Sequence, residues 1–144
     1  MRVYLDNCCY NRPFDDQDQL KVRLETEAKL RIQFLMRTGV LEYAWSDMLS
    51  REALDNPIDS HREKVLEWKA GASVTVPMTS EIVSAAKRLT TIGVANADAL
   101  HVASARSAGC DWFFTTDLRL LKKVRDFDGM RVANPVEFLV EGEQ

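Results

Sequence analysis

The sequence predicts an α/β fold in which helices cover both faces of a central parallel sheet. Strand-like segments alternate with helical ones along most of the 144 residues, and this alternation is typical of parallel sheets. The strand-like segments are short and mostly apolar, as strands buried on both faces are. We therefore expect one three-layer α/β/α domain over residues 1–140 and a frayed tail over residues 141–144.

The first half of the chain alternates two predicted strands with three predicted helices. Helix starts are assigned from acidic or capping residues, and helix ends from glycine and proline. The elements are a strand at residues 2–6, a long helix that begins at 15–18 and stops at 38–39, a strand at 40–45, a helix capped by Ser46 and ended by Asn56-Pro57, and a helix opened by a capping-box pattern at 60–63 that runs to residue 71.

The second half repeats the alternation with shorter elements. The predicted order is a strand at 73–78, a helix from a Thr79 or Ser80 cap to Leu89, an alanine-rich helix at 97–108 capped by Asn96, a strand at 112–115, a helix at 117–124, a strand at 130–133 and a turn of helix begun by Asn134-Pro135. Pro77 lacks a backbone donor, which argues for a strand edge or end. Gly109 suits the residue after a helix.

Composition excludes several classes of protein. The net charge is −3, so no overall basic signal indicates nucleic-acid binding. The longest apolar runs are far too short to span a bilayer, and no signal peptide is expected because Met1 leads directly into a strand. The three cysteines lack disulfide or zinc-finger spacing. We therefore expect a cytoplasmic protein whose cysteines are buried apolar residues, although a reactive thiol is the alternative.

Four acidic residues stand where such a fold brings side chains together. Asp6 and Asp117 follow two predicted strands, and ligands bind beyond the carboxyl ends of parallel strands. Asp98 begins an otherwise apolar helix, and Glu52 lies at the edge of an inward-facing stripe. Each has a structural alternative: a turn residue for Asp6, an N-cap for Asp117, a helix-dipole contact for Asp98 and a surface position for Glu52.

Converging carboxylates repel one another unless a cation lies between them. Oxygen-only ligands suit Mg²⁺ or Mn²⁺, and the sequence has no histidine and cysteine set for zinc. His61 lies on a charged helix. His101, three residues after Asp98, could approach the site, although a single histidine is more often a core or surface residue.

With these positions in place, the chain resembles the PIN-domain family over nearly its whole length. The matching parts are residues 3–7 (Val-Tyr-Leu-Asp-Asn), Glu52, residues 97–103 (Ala-Asp-Ala-Leu-His-Val-Ala) and residues 113–117 (Phe-Phe-Thr-Thr-Asp). The resemblance implies an α/β/α fold that hydrolyses phosphodiester bonds, most often in RNA, with one or two divalent cations. Asp6, Glu52, Asp98 and Asp117 would hold the metal, and the Thr115 hydroxyl would position water or ligand.

The resemblance has further implications and two departures. Many small bacterial members are toxins of toxin–antitoxin pairs, so an antitoxin partner and a homodimer are expected. Asn7 stands where members often have Thr or Ser. Arg119 stands where many have a further acid, which puts a second metal in doubt.

Substrate and rival functions follow from the remaining residues. Single-stranded RNA is the expected substrate, with Tyr10 or Phe14 available for stacking and with basic residues nearby. Those basic residues are Arg12, Arg119, Lys122, Lys123 and Arg125.

A phosphoacceptor receiver would need a lysine where Asn134 follows the last strand. A haloacid-dehalogenase-like phosphatase would need an acid at Cys8. The remaining alternative is a PIN fold that binds RNA or protein without cleavage.

Overall fold

The computed structural model describes residues 1–11 and 19–142, in which strands and helices alternate. The strands are β1 Arg2–Leu5, β2 Glu42–Ser46, β3 Val74–Val76, β4 Trp112–Phe114, β5 Asp126–Phe127 and β6 Met130–Ala133. The helices are α1 Asn7–Asn11, α2 Leu20–Arg37, α3 Asp47–Leu54, α4 Asp59–Glu67, α5 Ser80–Thr90, α6 Asn96–Ser107, α7 Leu118–Lys123 and α8 Pro135–Glu137. A 3₁₀ turn spans Trp68–Gly71, and a π-helical turn spans Phe138–Gly142.

The strands form one sheet in the order β3-β2-β1-β4-β6-β5. All neighbouring pairs are parallel except β5 with β6. The predicted parallel sheet is thus confirmed, with an antiparallel edge that the sequence did not predict. Asp128 and Gly129 connect β5 to β6 with positive φ angles of 51° and 91°, which suits the Asp-Gly preference of tight hairpins.

Helices cover both faces of this sheet. The side chains of Tyr4 and Phe113, which are register partners, stack on one face, where the Tyr4 hydroxyl reaches His101 of α6. Trp112 and Phe114 point to the opposite face, as alternate residues of a strand do, and both contact Phe138 beyond α8. Helix α2 packs against α8. The molecule therefore has the predicted three layers.

Several helix ends agree with the capping predictions. The Ser46 and Thr79 side chains accept hydrogen bonds from the backbone at the starts of α3 and α5, and Asn134 forms a capping box with Glu137. Two cap predictions were wrong. Helix α4 begins before the supposed capping box, without a side-chain cap, and Asn96 is already the first residue of α6.

The long helix α2 is confirmed, and it ends where Gly39 takes a φ of 79°. Its predicted start at residues 15–18 lies outside the described residues. Four apolar side chains on α2 are 47–62% exposed: Leu20, Leu24, Leu30 and Phe34. Within residues 1–11 and 19–142, no helix is long and apolar enough to cross a membrane. The domain bounds of 1–140 and the frayed tail remain predictions.

Candidate metal centre

The four predicted acids line one cleft at the carboxyl ends of β1 and β4. Asp6 follows β1, and Asp117 precedes α7 just beyond β4. Glu52 comes from the last turn of α3, and Asp98 comes from the first turn of α6. The cleft, called here the acidic cleft, has a volume of about 380 Å³ and is lined by Asp6, Asn7, Cys8, Glu52, Asp98, Thr116 and Asp117. Parallel pairing of β1 with β4 brings the two strand ends together.

Asp6 is nearly buried and is held by hydrogen bonds to both carboxylate oxygens. The Asn7 backbone N–H donates to Oδ1 at 2.8 Å, and the Thr115 hydroxyl donates to Oδ2 at 2.8 Å. The Thr115 oxygen also accepts from the Asp117 backbone N–H at 3.1 Å. Thr115 is fully buried and does not itself line the acidic cleft. Its hydroxyl therefore connects the two strand-end acids.

Asp117 combines two positions that the sequence offered as alternatives. It is the N-cap of α7, and its Oδ1 accepts from the backbone N–H groups of Arg119 and Leu120 at 2.9 and 3.3 Å. It also lines the acidic cleft. An N-cap uses one carboxylate oxygen, so the cap and a cleft-facing role are compatible.

Glu52 is held by a buried hydrogen-bond chain that begins in the sheet. The Ser46 hydroxyl lies 2.6 Å from Tyr4 Oη, which lies 2.7 Å from His101 Nδ1. On the other side of the imidazole, Nε2 lies 2.5 Å from Glu52 Oε1. Because a carboxylate accepts only, Nε2–H donates to Glu52, and in neutral histidine Nδ1 accepts from Tyr4. The chain fixes the orientation of His101 and of Glu52.

His101 brings a nitrogen into a site that the sequence predicted as oxygen-only. Ligand atoms of Asp6, Glu52 and His101 lie within 4.8 Å of one another, an arrangement that could hold a metal ion. His101 Nε2 is 4.0 Å from Asp6 Oδ1. The sequence signal was its spacing, since residues three apart share a helix face. From the sequence alone, we expected only that His101 could approach the site.

The electrostatics of the acidic cleft favour a cation. Burial, and then the charges of Asp6 and Asp117, raise the pKa of Asp98 to about 6, although His101 opposes this shift. Burial lowers the pKa of His101, but the hydrogen bond to Glu52 and the surrounding carboxylates outweigh it and raise that pKa above 6.5. Both groups thus respond to an excess of negative charge.

The cysteines divide into two groups. Cys9 and Cys110 are buried, as predicted, whereas Cys8 is only partly buried and lines the acidic cleft. Its Sγ lies 3.6 Å from Asp6 Oδ2 and 3.4 Å from Thr116 Oγ1. A hydrogen bond with Cys9 lowers the pKa of the Cys8 thiol, although burial opposes it.

The expected RNA contacts receive mixed support. Tyr10 is buried against Trp45 and Trp68 and does not line the acidic cleft, so stacking there was a wrong prediction. Phe14 and Arg12 lie outside the described residues. In the basic run, Lys123 donates to the Gly93 carbonyl and Arg125 pairs with Glu137. Arg119 and Lys122 lie exposed on α7.

Comparison with known proteins establishes the fold. No family model and no curated protein matches this sequence. The crystal structure of VapBC2 from Rickettsia felis, bound to a DNA fragment from their promoter, matches with a TM-score of 0.57 at 12% identity over 93% of this chain and 98% of that chain. The crystal structure of FitAcB from Neisseria gonorrhoeae matches with a TM-score of 0.59 at 14% identity over 92% and 97%. The fold is therefore PIN-like, as predicted.

Proposed function

We propose that the chain is a Mg²⁺- or Mn²⁺-dependent endoribonuclease that hydrolyses phosphodiester bonds in RNA at the acidic cleft. The observation that carries this proposal is the convergence of four carboxylates on one cleft of a PIN-like sheet. Their elements are far apart in the chain, so local helix capping does not account for their meeting. The similarity in fold supports a metal-dependent nuclease site. The choice of RNA as the substrate comes from the sequence resemblance to the PIN-domain family.

The donor set fits a divalent cation of this type. Asp6, Glu52, Asp98 and Asp117 supply carboxylate oxygens, which Mg²⁺ and Mn²⁺ prefer. Burial is the first cause of the raised pKa of Asp98, and repulsion from Asp6 and Asp117 is the next; a cation would relieve that repulsion. With Nε2–H donated to Glu52, His101 would support that carboxylate as a ligand. It would add a nitrogen of its own only if Nε2 gave up this proton, and a nitrogen ligand favours Mn²⁺ over Mg²⁺.

The residues of the chain have distinct roles in the proposed hydrolysis. When bound, the cation would neutralise charge on the phosphate and acidify water. The four carboxylates would hold that cation, and one of them that is not a ligand would accept the proton of the attacking water. The Thr115 hydroxyl keeps Asp6 pointed into the acidic cleft. His101 does the same for Glu52.

An RNase assay tests this proposal directly. Wild type and Asp6→Asn are incubated with a mixed single-stranded RNA pool in Mg²⁺, Mn²⁺ or EDTA. We expect cleavage by wild type with either metal, none with EDTA, and a loss of about a hundredfold or more in Asp6→Asn. The control is Asp55→Asn, an exposed acid that ends α3 and does not line the acidic cleft. It should cleave as wild type does.

Two other outcomes would redirect the proposal. A folded wild type that cleaves nothing in any arm, yet retains RNA in a filter-binding assay, would favour the non-cleaving binding module. Equal cleavage by Asp6→Asn would mean that another site or a contaminant is responsible.

We further propose that the protein acts as the toxin of a toxin–antitoxin pair, restrained by an antitoxin protein. Support comes from the resemblance to the PIN-domain family and from the PIN-like fold. Induced expression in a bacterial host should arrest growth with wild type and spare it with Asp6→Asn. Normal growth at equal levels of soluble wild type would argue against a toxin.

A homodimer is the expected assembly, and the outer face of α2 is the proposed contact. Its four exposed apolar side chains would otherwise remain in water. Light scattering after size exclusion should give a dimer mass for wild type and a monomer mass for Phe34→Glu. Leu54→Glu changes an apolar side chain of α3 that is at least as exposed as Phe34, and it should leave the dimer intact. A monomeric wild type would refute this proposal.

A further inference from the structure

Two polar residues of α2 are buried on the side of that helix that packs against α1. Lys29 is 0% exposed and Gln33 is 4% exposed, and they lie four residues apart, so they share one face of the helix. Ile32 and Met36, which are buried beside them on α2, are apolar. Burying an amide or a cation is costly unless its polar atoms are bonded. Both residues therefore need partners inside the protein.

The partners are carbonyl groups of the short helix α1. Gln33 Nε2 donates to the Cys9 carbonyl at 3.1 Å, and Lys29 Nζ donates to the Cys8 carbonyl at 3.5 Å. In a longer helix, the Cys9 carbonyl would accept from the backbone N–H of residue 13. Residue 13 is Pro13, which has no N–H. Gln33 thus supplies a donor that the main chain cannot supply at this position.

Helix α1 in turn holds Asp6, the residue that directly precedes it. The Asn7 N–H donates to Asp6 Oδ1 at 2.8 Å, and the Cys8 thiol donates to Oδ2 at 3.6 Å. The Cys9 N–H donates to the Asp6 carbonyl at 2.8 Å. Asn7 and Cys8 also line the acidic cleft. A shift of α1 would therefore change the shape of the cleft and remove two of the bonds that orient the Asp6 carboxylate.

We propose that Gln33 is a positioning residue of the acidic cleft. It fixes α1 through the Cys9 carbonyl and thereby keeps Asp6 oriented for a divalent cation. Gln33 does not line the acidic cleft, so it acts only through α1. Lys29 supports the same end of α1, where a positive charge also suits the helix dipole. The cation at Asp6 rests on the function proposed above, whereas the fixing of α1 by Gln33 does not.

Hydrogen exchange measured by mass spectrometry, in EDTA and without RNA, tests whether Gln33 fixes α1. Gln33→Met keeps a side chain of similar length and volume but removes the amide donor. We expect the amides of α1 to exchange about tenfold faster in this variant, with little change in β4. Gln33→Asn, whose amide is one methylene shorter, should give a smaller increase in the same direction.

The control is Thr79→Ala, which removes the cap of α5 and leaves α1 untouched. It should not accelerate exchange in α1 relative to β4. Unchanged exchange of α1 in Gln33→Met would overturn the proposal. Equal acceleration of α1 and β4 would also overturn it, because it would show that the substitution only lowers the stability of the whole domain.

Calorimetric titration with Mn²⁺ tests whether fixing α1 matters to the acidic cleft. We expect folded Gln33→Met to bind Mn²⁺ about fivefold more weakly than wild type, and Thr79→Ala to bind it as wild type does. An unchanged Kd in Gln33→Met would reduce Gln33 to a structural residue and overturn the positioning role. A wild type that binds no Mn²⁺ would count against the proposed function instead, and the exchange of the α1 amides would still decide whether Gln33 fixes α1.

Discussion

Metal binding and folding of the metal-free protein favour opposite protonation states of the Asp98 carboxyl group. The side chain is half-buried on α6 beside other carboxylates, and its pKa is raised to about 6 from 3.8. Above that pH Asp98 is ionised in the folded metal-free protein, although burial and the neighbouring carboxylates oppose its charge. A bound cation would reverse this preference, because it favours the charged form.

The substitution Asp98→Asn should therefore stabilise the metal-free protein. At about pH 8 in EDTA, we expect the free energy of unfolding to rise by about 1–2 kcal/mol, which is half the value that the pKa shift implies because the group is partly exposed to solvent. Urea denaturation measures it. At about pH 4 the gain should shrink, since Asp98 is then largely protonated. A destabilised variant in EDTA at about pH 8 would contradict this account.

Tyr4 and Tyr10 offer the same substitution with opposite expected results. Tyr4→Phe removes a hydroxyl that joins Ser46 to His101, so we expect a loss of about 1–3 kcal/mol. Tyr10→Phe should instead stabilise, because the Tyr10 hydroxyl is buried and has no hydrogen-bond partner among the described residues. Urea denaturation measures both effects. Tyr4→Phe should also cleave RNA more slowly, because His101 would no longer hold Glu52 in position. Equal effects of the two substitutions would refute the different pairing of these hydroxyls.

The positions of the acids followed from sequence, but their partners did not. Asp6 and Asp117 were found because strand ends in a parallel sheet share an edge, and Glu52 because an acid stood beside an apolar stripe. His101 was harder to place, because its bonds to Tyr4 and Glu52 join three elements distant in the chain. Thr115 was expected to hold water or ligand, whereas its hydroxyl contacts Asp6.

At the scale of elements, the start of α3 matters more than an ordinary helix start, because α3 carries Glu52. The Ser46 oxygen accepts from the Leu49 backbone N–H at 3.2 Å and also bonds Tyr4. At α5, Thr79 performs the capping role alone, with Ile82 N at 3.2 Å. Substitutions at the two caps can therefore distinguish the stability that comes from capping from the stability that comes from the buried hydrogen-bond chain.

We expect Thr79→Ala to cost about 1 kcal/mol, as removal of a cap usually does. Ser46→Ala should cost about 2–3 kcal/mol, because it also leaves Tyr4 with one partner fewer in the core. Urea denaturation in EDTA compares the two variants. Only Ser46→Ala should lower RNA cleavage when both are assayed as folded proteins. A cost for Ser46→Ala no larger than that for Thr79→Ala would mean that the bond to Tyr4 contributes little.

Elements with a strong local pattern were predictable, and those that depend on tertiary contacts were not. The alternation of apolar segments identified β1, β2, β3, β4 and β6, and Pro77 correctly indicated that β3 lies at an edge of the sheet. The short β5 was missed, although the Asp-Gly pair at 128–129 is a hairpin signal, because only two residues of β5 pair with β6. The supposed cap at Asn96 was wrong because α6 begins one residue earlier than expected, with Ala95 at the cap position.

For the whole molecule, stability should depend on pH and metal together. The pKa of Asp98 is higher in the folded protein than in the unfolded chain. Its contribution to the free energy of unfolding is therefore fully present below pH 3.8 and is lost as the pH rises through about 6. The raised folded pKa of His101 acts in the same direction, since stability is lost as the pH rises beyond 6.5. Metal-free protein should therefore unfold more easily at about pH 8 than at about pH 5.5.

Metal should reverse that trend. A ligand that binds only the folded state adds about 2.7 kcal/mol at a concentration of 100 times its Kd. Because protons compete for Asp98, Mn²⁺ should raise the melting temperature strongly at about pH 8 and little at about pH 5. Differential scanning fluorimetry with Mn²⁺ or EDTA across this range measures it. Asp6→Asn should abolish the shift and Asp55→Asn should retain it. A shift of equal size at both pH values, or one that survives in Asp6→Asn, would mean that the cation binds elsewhere and that these carboxylates do not hold it.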